Sequence, residues 1–138
     1  MFETRTRFGE RAKRRLREEK IAWLTTVDGA GTPQPIPVWF LWDGEESVLV
    51  YSQPDTPKLR NIERNPRISL NLDGDGQGGN IVVLLGEARV SDDPPASDVP
   101  EYVDKYDDYM DRNGWMPEDF ARLYSVPIRI RLRRLRGH

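Results

Sequence analysis

The chain of 138 residues contains no cysteine, which excludes structural disulfides, thiolate zinc sites, iron–sulfur clusters and cysteine nucleophiles. Histidine is almost as scarce, the single one being the last residue, His138. A Ser-His-Asp triad, a histidine metal site or an imidazole base would therefore have to be built on a chain end, where order is poorest. No apolar run approaches the roughly 20 residues that cross a bilayer, and no apolar segment follows the Arg-rich start. These absences predict a soluble, cytoplasmic protein with no membrane span and no bound metal. At 37% apolar and 32% charged residues, the chain fills one modest core. The expectation is a single domain over residues 1–138.

Net charge is only −2, yet the charges are segregated. The first twenty residues hold eight of the 21 basic groups, residues 92–111 carry eight acids against one base, Lys105, and Arg122 to Arg136 contains six Arg and no acid. Arg supplies 17 of the cations, a side chain suited to planar recognition of phosphate or carboxylate. Most of these charges read as solvated faces. No nucleic-acid reader motif accompanies the basic ends, so no nucleic-acid partner is assigned.

Phe8, Ala12 and Leu16 recur four apart among Arg, Lys and Glu, which predicts a surface helix over residues 5–19. Beyond it the texture turns β-branched and aromatic, from Ile21 to Val27, and breaks at the turn cluster Asp28–Gly31. Gln34 to Trp42 alternates around Pro35 and Pro37 and reads as one strand with an edge-like start. Asp43-Gly44 then turns the chain into a strand from Ser47 to Ser52. Thr56 is placed to cap and Pro57 to begin a short helix ending before Pro66. Arg67 to Asp73 reads as a strand, residues 74–79 as a Gly-rich turn, and Ile81 to Leu85 as a central strand buried on both faces. Three-and-four spacing from Val99 to Met110 predicts an amphipathic helix over residues 99–112, closed by Gly114, with a further turn from Pro117 to Leu123. Ile128, Ile130 and Leu132 alternate with arginines in a last strand. Six strands joined mainly by hairpins, with a helical insertion at 99–123 between strands spanning residues 20–135, predict a mainly β protein: a six-stranded antiparallel sheet closed or nearly closed into a small barrel.

The sharpest local signal is Asp55-Thr56-Pro57-Lys58-Leu59-Arg60-Asn61. A helix start presents unpaired N–H groups and the positive end of the dipole, and Lys58 and Arg60 add cations, a combination suited to phosphate. The same residues also read as an ordinary helix start with surface cations. The run at residues 74–79 lacks the strand-loop-helix setting of a nucleotide loop. Trp23, Trp39, Trp42 and Trp115 suit core or interface packing, or a groove that stacks a planar ring. Acids at 104, 107, 108 and 111, without a calcium-loop glycine or histidine partners, read as a solvated helix face.

The string from Thr25 to Asp75, with its TVDGAGTPQPIPVWF hairpin, its YSQPDTPK strand and loop and its NPR turn, resembles the pyridoxamine-phosphate-oxidase-like split β-barrel superfamily, and within it the deazaflavin (coenzyme F420)-dependent oxidoreductases. The similarity extends to GEARV at 86–90 and SVPIRIR at 125–131. It implies a homodimer with two cofactor sites at the interface and a small-molecule acceptor. It places Pro35, Pro37, Val38 and Trp39 beside the isoalloxazine-type ring, Tyr51, Ser52, Gln53 and Lys58 near the ribityl chain and phosphate, and Asn61 at the tail or holding the loop. By charge alone, Arg60 and Arg64 suit a glutamate tail. No catalytic acid or base is indicated; Tyr51 is a proton-donor candidate that reads equally as a packing residue. The Arg on the strand Pro35–Trp39 and the Arg-Lys pair that clamp phosphate in pyridoxamine-phosphate oxidases are not reproduced, which favours F420 over the alternative, FMN. The alternatives on this fold are therefore an FMN-dependent oxidoreductase and a non-catalytic binder of cofactor, haem or tetrapyrrole.

Overall fold

Two residues, Trp39 and Phe40, set the architecture described by the computed structural model, which covers residues 6–138. Seven strands form one antiparallel sheet: β1 (Ala22–Val27), β2 (Pro33–Val38), β3 (Leu41–Trp42), β4 (Ser47–Ser52), β5 (Arg67–Asn71), β6 (Val82–Val90) and β7 (Val126–Gly137), in the order β2-β1-β5-β6-β7-β4-β3. β2 and β3 lie at opposite edges yet are joined by Trp39 and Phe40 alone. Three Cα steps span at most about 11 Å, so the sheet must curl until its edges meet there. The result is a split β-barrel with seven strands where the sequence predicts six.

The extra strand comes from the stretch read as one, Gln34 to Trp42. Side-chain alternation runs through it unbroken, with Val38, Phe40 and Trp42 all in the barrel core, but the hydrogen-bond partner changes. The Phe40 backbone is taken by a helix instead. Its N–H donates to the Tyr106 hydroxyl at 2.7 Å, and its carbonyl accepts from the Lys105 ammonium at 2.8 Å.

That helix, α3 (Pro100–Arg112), and α4 (Pro117–Leu123) form the insertion. Tyr102, Tyr106, Met110 and Phe120 pack on the outward side of β4 against Leu49 and Tyr51, making a second core beside that of the barrel. The strand buried on both faces is β4, next to the β3 edge. The sequence assigns a central strand buried on both faces to Ile81–Leu85; β6 is indeed the middle strand of the seven, but there burial alternates, and Val83 and Leu85 on the outer face are only half-buried.

The helix predicted over 5–19 is α1 (Arg7–Glu18), with the Thr6 hydroxyl accepting from the Gly9 N–H at 2.9 Å; residue 5 lies outside the described residues. Ala12 and Leu16 are fully buried under the barrel. Arg15 anchors α1 by pairing with Glu19 and donating to the carbonyls of Asp73 and Asn80 at the two ends of the β5–β6 connection. Among the described residues no helix is long and apolar enough to cross a membrane.

In β2, Pro33, Pro35 and Pro37 share one parity, and since proline has no N–H, the ladder with β1 must be carried by Gln34, Ile36 and Val38. The prolines therefore turn their carbonyls to the free edge, which offers acceptors and no donor. In β7 the pairing with β6 slips by one residue at Leu85/Gly86, leaving Arg133 as an extra residue, so that Arg133 and Arg134 both face outward between the inward Leu132 and Leu135.

Gly86 is required at this bulge, because a Cβ there would lie 2.2 Å from the Arg131 carbonyl oxygen. Gly86→Ala is expected to cost about 1–3 kcal/mol by forcing the two strands apart, read as a lowered midpoint in urea unfolding. A parental midpoint would show that the bulge is not tight.

Lys105 supplies a pH signature. Burial, with help from the nearby Lys20, lowers its pKa from 10.5 to about 7. Between those values the unfolded chain binds more protons than the folded one, so stability rises with pH. Burial raises the hydroxyls of Tyr102 and Tyr106 above 10.0 and reverses the slope there. Unfolding free energy is thus expected to climb between about pH 7 and pH 10, and Lys105→Met to flatten the climb; an unchanged slope in that variant would assign it to other groups.

Candidate cofactor-binding site

The junction that closes the barrel also builds a cleft of about 420 Å³. Ile36, Pro37 and Val38 at the end of β2 form one side, and Tyr51, Gln53, Thr56 and Lys58, running from β4 to the start of α2 (Pro57–Arg64), form the second. Asn113, Trp115, Phe120 and Tyr124 from the helical insertion form the third, with Trp39 at the back.

The back wall is a column of nearly parallel rings. Tyr106 and Trp39 stack at 4.7 Å and 3°, Trp39 and Phe120 at 5.0 Å and 7°, and Phe120 and Tyr124 at 4.7 Å and 11°. Trp115 leans against Phe120 and Tyr124. Stacked aromatics lock one another's orientation at little entropic cost; because Trp39 and Phe120 each carry a ring on both faces, the column backs the cleft with a stiff wall of ring edges.

The opposite side is polar. Lys58 is half-buried and makes no hydrogen bond or ion pair among the described residues, and burial lowers its pKa. An ammonium held out of water without a counter-ion is an anion site by its own energetics. Its loop is fixed from below. Ser52 is fully buried, donates to the Gln53 carbonyl at 2.7 Å and lies 3.0 Å from the Thr56 hydroxyl. Thr56 stands at the N-cap of α2 but spends its hydroxyl on Ser52, so the expected side-chain cap is not made. Asp55 takes a left-handed backbone (φ 62°), its carbonyl accepting from Arg60 at 3.0 Å.

Of the residues expected at the cofactor, the structure brings Pro37, Val38, Trp39, Tyr51, Gln53 and Lys58 together in this cleft. Ser52 supports the loop from beneath. Asn61 is buried on the inner side of α2, its amide donating to the Thr26 hydroxyl at 2.9 Å, and ties α2 to β1. Pro35 lies farther along the β2 edge, in a shallow groove with Trp23 and Asn71. Arg64 rests against the Gly29 turn. The Tyr51 hydroxyl donates to the Pro94 carbonyl at 2.5 Å, and burial together with Asp93 pushes its pKa up to about 12. Tyr51 is a wall whose proton is held. Asn113, Phe120 and Tyr124 escape sequence reasoning, although Phe120 and Tyr124, four apart with Trp115 just before, carry the spacing of one helix face.

A larger groove of about 640 Å³ behind α2 is lined by Leu59, Ile62, Arg60, Glu63 and the end of β6. It lacks an aromatic wall, and its cations are offset by Glu63 and Asp55. The cleft is the better cofactor site.

The fold is thus a split barrel whose aromatic cleft lies beside a cation with no partner among the described residues. Residues 8–131 match the family model of pyridoxamine 5'-phosphate oxidase, and the chain belongs to that family. An F420 reductase of known structure is 26% identical, with 89% of this chain and 94% of that one covered and a TM-score of 0.62. A provisionally assigned pyridoxamine 5'-phosphate oxidase from Listeria innocua is 22% identical, with 88% and 90% covered and a TM-score of 0.67. The haem storage protein HutZ from Vibrio cholerae is 18% identical, with 96% and 95% covered and a TM-score of 0.65. These last two similarities concern the fold alone. No curated protein matches the chain.

Because Lys58 is desolvated and unpaired, replacing it with an apolar side chain of similar length relieves a cost. Lys58→Met is expected to leave the melting temperature of the cofactor-free protein unchanged or raised. A lowered melting temperature would mean that the ammonium has a structural partner.

Proposed function

We propose that the cleft binds the deazaflavin coenzyme F420 and that the protein is an oxidoreductase acting on a conjugated organic acceptor. The observation that carries this reading is the pairing, in one cleft, of a half-buried ammonium at Lys58, unpartnered among the described residues, with an aromatic wall that includes Trp115 and Tyr124. A phosphorylated planar ring satisfies both. Lys58 would hold the phosphate by a charge-assisted hydrogen bond, Gln53 would meet the polyol chain, and the ring would lie between Pro37 and Val38 on one side and Trp115 and Tyr124 on the other.

When bound in reduced form, the coenzyme supplies the hydride. The chain orients the ring, excludes water and offers the acceptor a flat surface. No carboxylate or imidazole lines the cleft, and the Tyr51 proton is committed to Pro94, so the residues present suit positioning better than acid–base work. The 26% identity to an F420 reductase supports the deazaflavin over FMN. A haem-storage role is less well supported, because the usual axial ligand is histidine and the single one, His138, lies past the far end of β7, away from the cleft.

Fluorescence titration with F420 and FMN tests the reading, with F420 expected to bind more tightly. Lys58→Ala is expected to weaken that binding about ten- to a hundredfold, the loss of one charge-assisted bond. Tighter binding of FMN would move the protein to the flavin branch, and parental F420 affinity in Lys58→Ala would remove Lys58 from the site.

A further inference from the structure

The cleft opens on the free edge of β2, and that edge is chemically one-sided. β2 is the outermost strand of the sheet, and residues 33–37 are all exposed. Gln34 and Ile36 give both backbone groups to β1, opposite Thr26 and Leu24. The positions between them face away from β1, and each is a proline, so from Pro33 to Pro37 the edge presents carbonyls with no N–H among them. Pro37, the last of the three, belongs to the cleft wall.

The side chains of this wall add no donor, since Ile36, Pro37 and Val38 are all apolar. The polar groups Gln53, Thr56 and Lys58 stand across the split, on the stretch that leads from β4 into α2. Asn113 comes from the helical insertion, and its amide donates to the Tyr109 carbonyl at 2.8 Å.

Flavins and deazaflavins differ at one atom that such a wall can read. In both, the tail that carries the phosphate leaves from N10, and position 5 lies directly across the central ring. In an oxidised flavin that position is a nitrogen with an in-plane lone pair; in a deazaflavin it is a carbon with an in-plane hydrogen. With the phosphate on Lys58, the tail side of the ring turns toward β4 and α2, and position 5 turns toward β2. There a C–H meets a carbonyl as a weak donor. A flavin nitrogen instead meets a second acceptor and loses the partner it has in water.

We propose, on the footing of the F420 site above, that the proline-set edge of β2 selects the cofactor: Pro37 presents an acceptor-only wall that admits a ring with C–H at position 5 and rejects one with an acceptor nitrogen there. Apolar and aromatic surfaces do not discriminate between two rings of the same shape, whereas an unpaired polar atom does. Two-electron reduction of a flavin adds a hydrogen at N5 and turns that acceptor into a donor, so the same wall prefers reduced FMN to oxidised FMN.

FMN and 5-deaza-FMN isolate the atom, because they share substituents, ribityl chain and phosphate and differ only at position 5. In titrations followed by tryptophan fluorescence, the parent is expected to bind 5-deaza-FMN at least about tenfold more tightly than oxidised FMN. Anaerobic reduction with dithionite is expected to tighten FMN and to leave 5-deaza-FMN unchanged. Pro37→Ala restores one N–H to the edge and is expected to bring the two oxidised ligands within about threefold, by tightening FMN. Pro33→Ala restores an N–H outside the cleft and is expected to keep the parental ratio; circular dichroism confirms that both variants are folded. Binding of neither ligand by the parent overturns the cofactor site and the selector together. Equal binding of the two by the parent, both weakened by Lys58→Ala, overturns the selector and leaves the phosphate site in place. A parental ratio that survives in folded Pro37→Ala removes the β2 edge from the choice.

Discussion

The two-residue link between β2 and β3 is the constraint on which the rest of the molecule depends. It joins the opposite edges of a seven-stranded sheet, so curvature is imposed by covalent length and not left to strand twist. A link that leaves the ladder strands its own backbone groups, and buried N–H and C=O groups without partners are costly. Tyr106 and Lys105 meet that demand from α3, and the Tyr106 hydroxyl also donates to the Lys20 carbonyl at 2.6 Å. Barrel closure, the end of α1 and the helical insertion are therefore fixed at one point.

The same point orients the cleft. Once the Phe40 backbone is held by α3, Phe40 faces the barrel core and Trp39 faces the insertion, where Tyr106 and Phe120 sandwich it. Structural pinning and the back wall of the cleft are thus two sides of consecutive residues. Tyr106 serves both: its ring stacks on Trp39 while its hydroxyl satisfies Phe40. The polar side of the cleft is built independently, by the Ser52–Thr56 contact and the Arg60–Asp55 brace beneath Lys58.

Much of this was legible in the sequence, for identifiable reasons. The four-residue spacing of Phe8, Ala12 and Leu16, the helix start at Pro57, the hairpin turns at Asp28 and Asp43 and the amphipathic spacing of α3 are local signals, and they mark elements that form. Lys58 was legible because a cation beside a helix start is also local. The break at Trp39 was not, because side-chain alternation continues through it and only the hydrogen-bond partner changes, a long-range fact. Burial of β4 on both faces depends on where the insertion docks, which no period within Ser47–Ser52 encodes. The apolar run Ile81–Leu85 does mark the middle strand of the sheet but overstates its burial, since the outward Val83 and Leu85 are only half-buried. Asn113, Phe120 and Tyr124 reach the cleft only through the packing of α4, and Thr56 looks like a cap until Ser52 competes for its hydroxyl.

The proline register of β2 has a consequence for solubility. A barrel that is split rather than fully closed keeps sheet edges, and an exposed edge is a template on which other chains add strands and aggregate. Strand addition needs alternating donors and acceptors, and along Pro33, Pro35 and Pro37 every donor is missing. A second strand laid there would find carbonyls opposite its own carbonyls and three rings in the path of its backbone. The protein can thus leave this edge open beside its cleft without offering it to the backbones of its neighbours in a crowded solution.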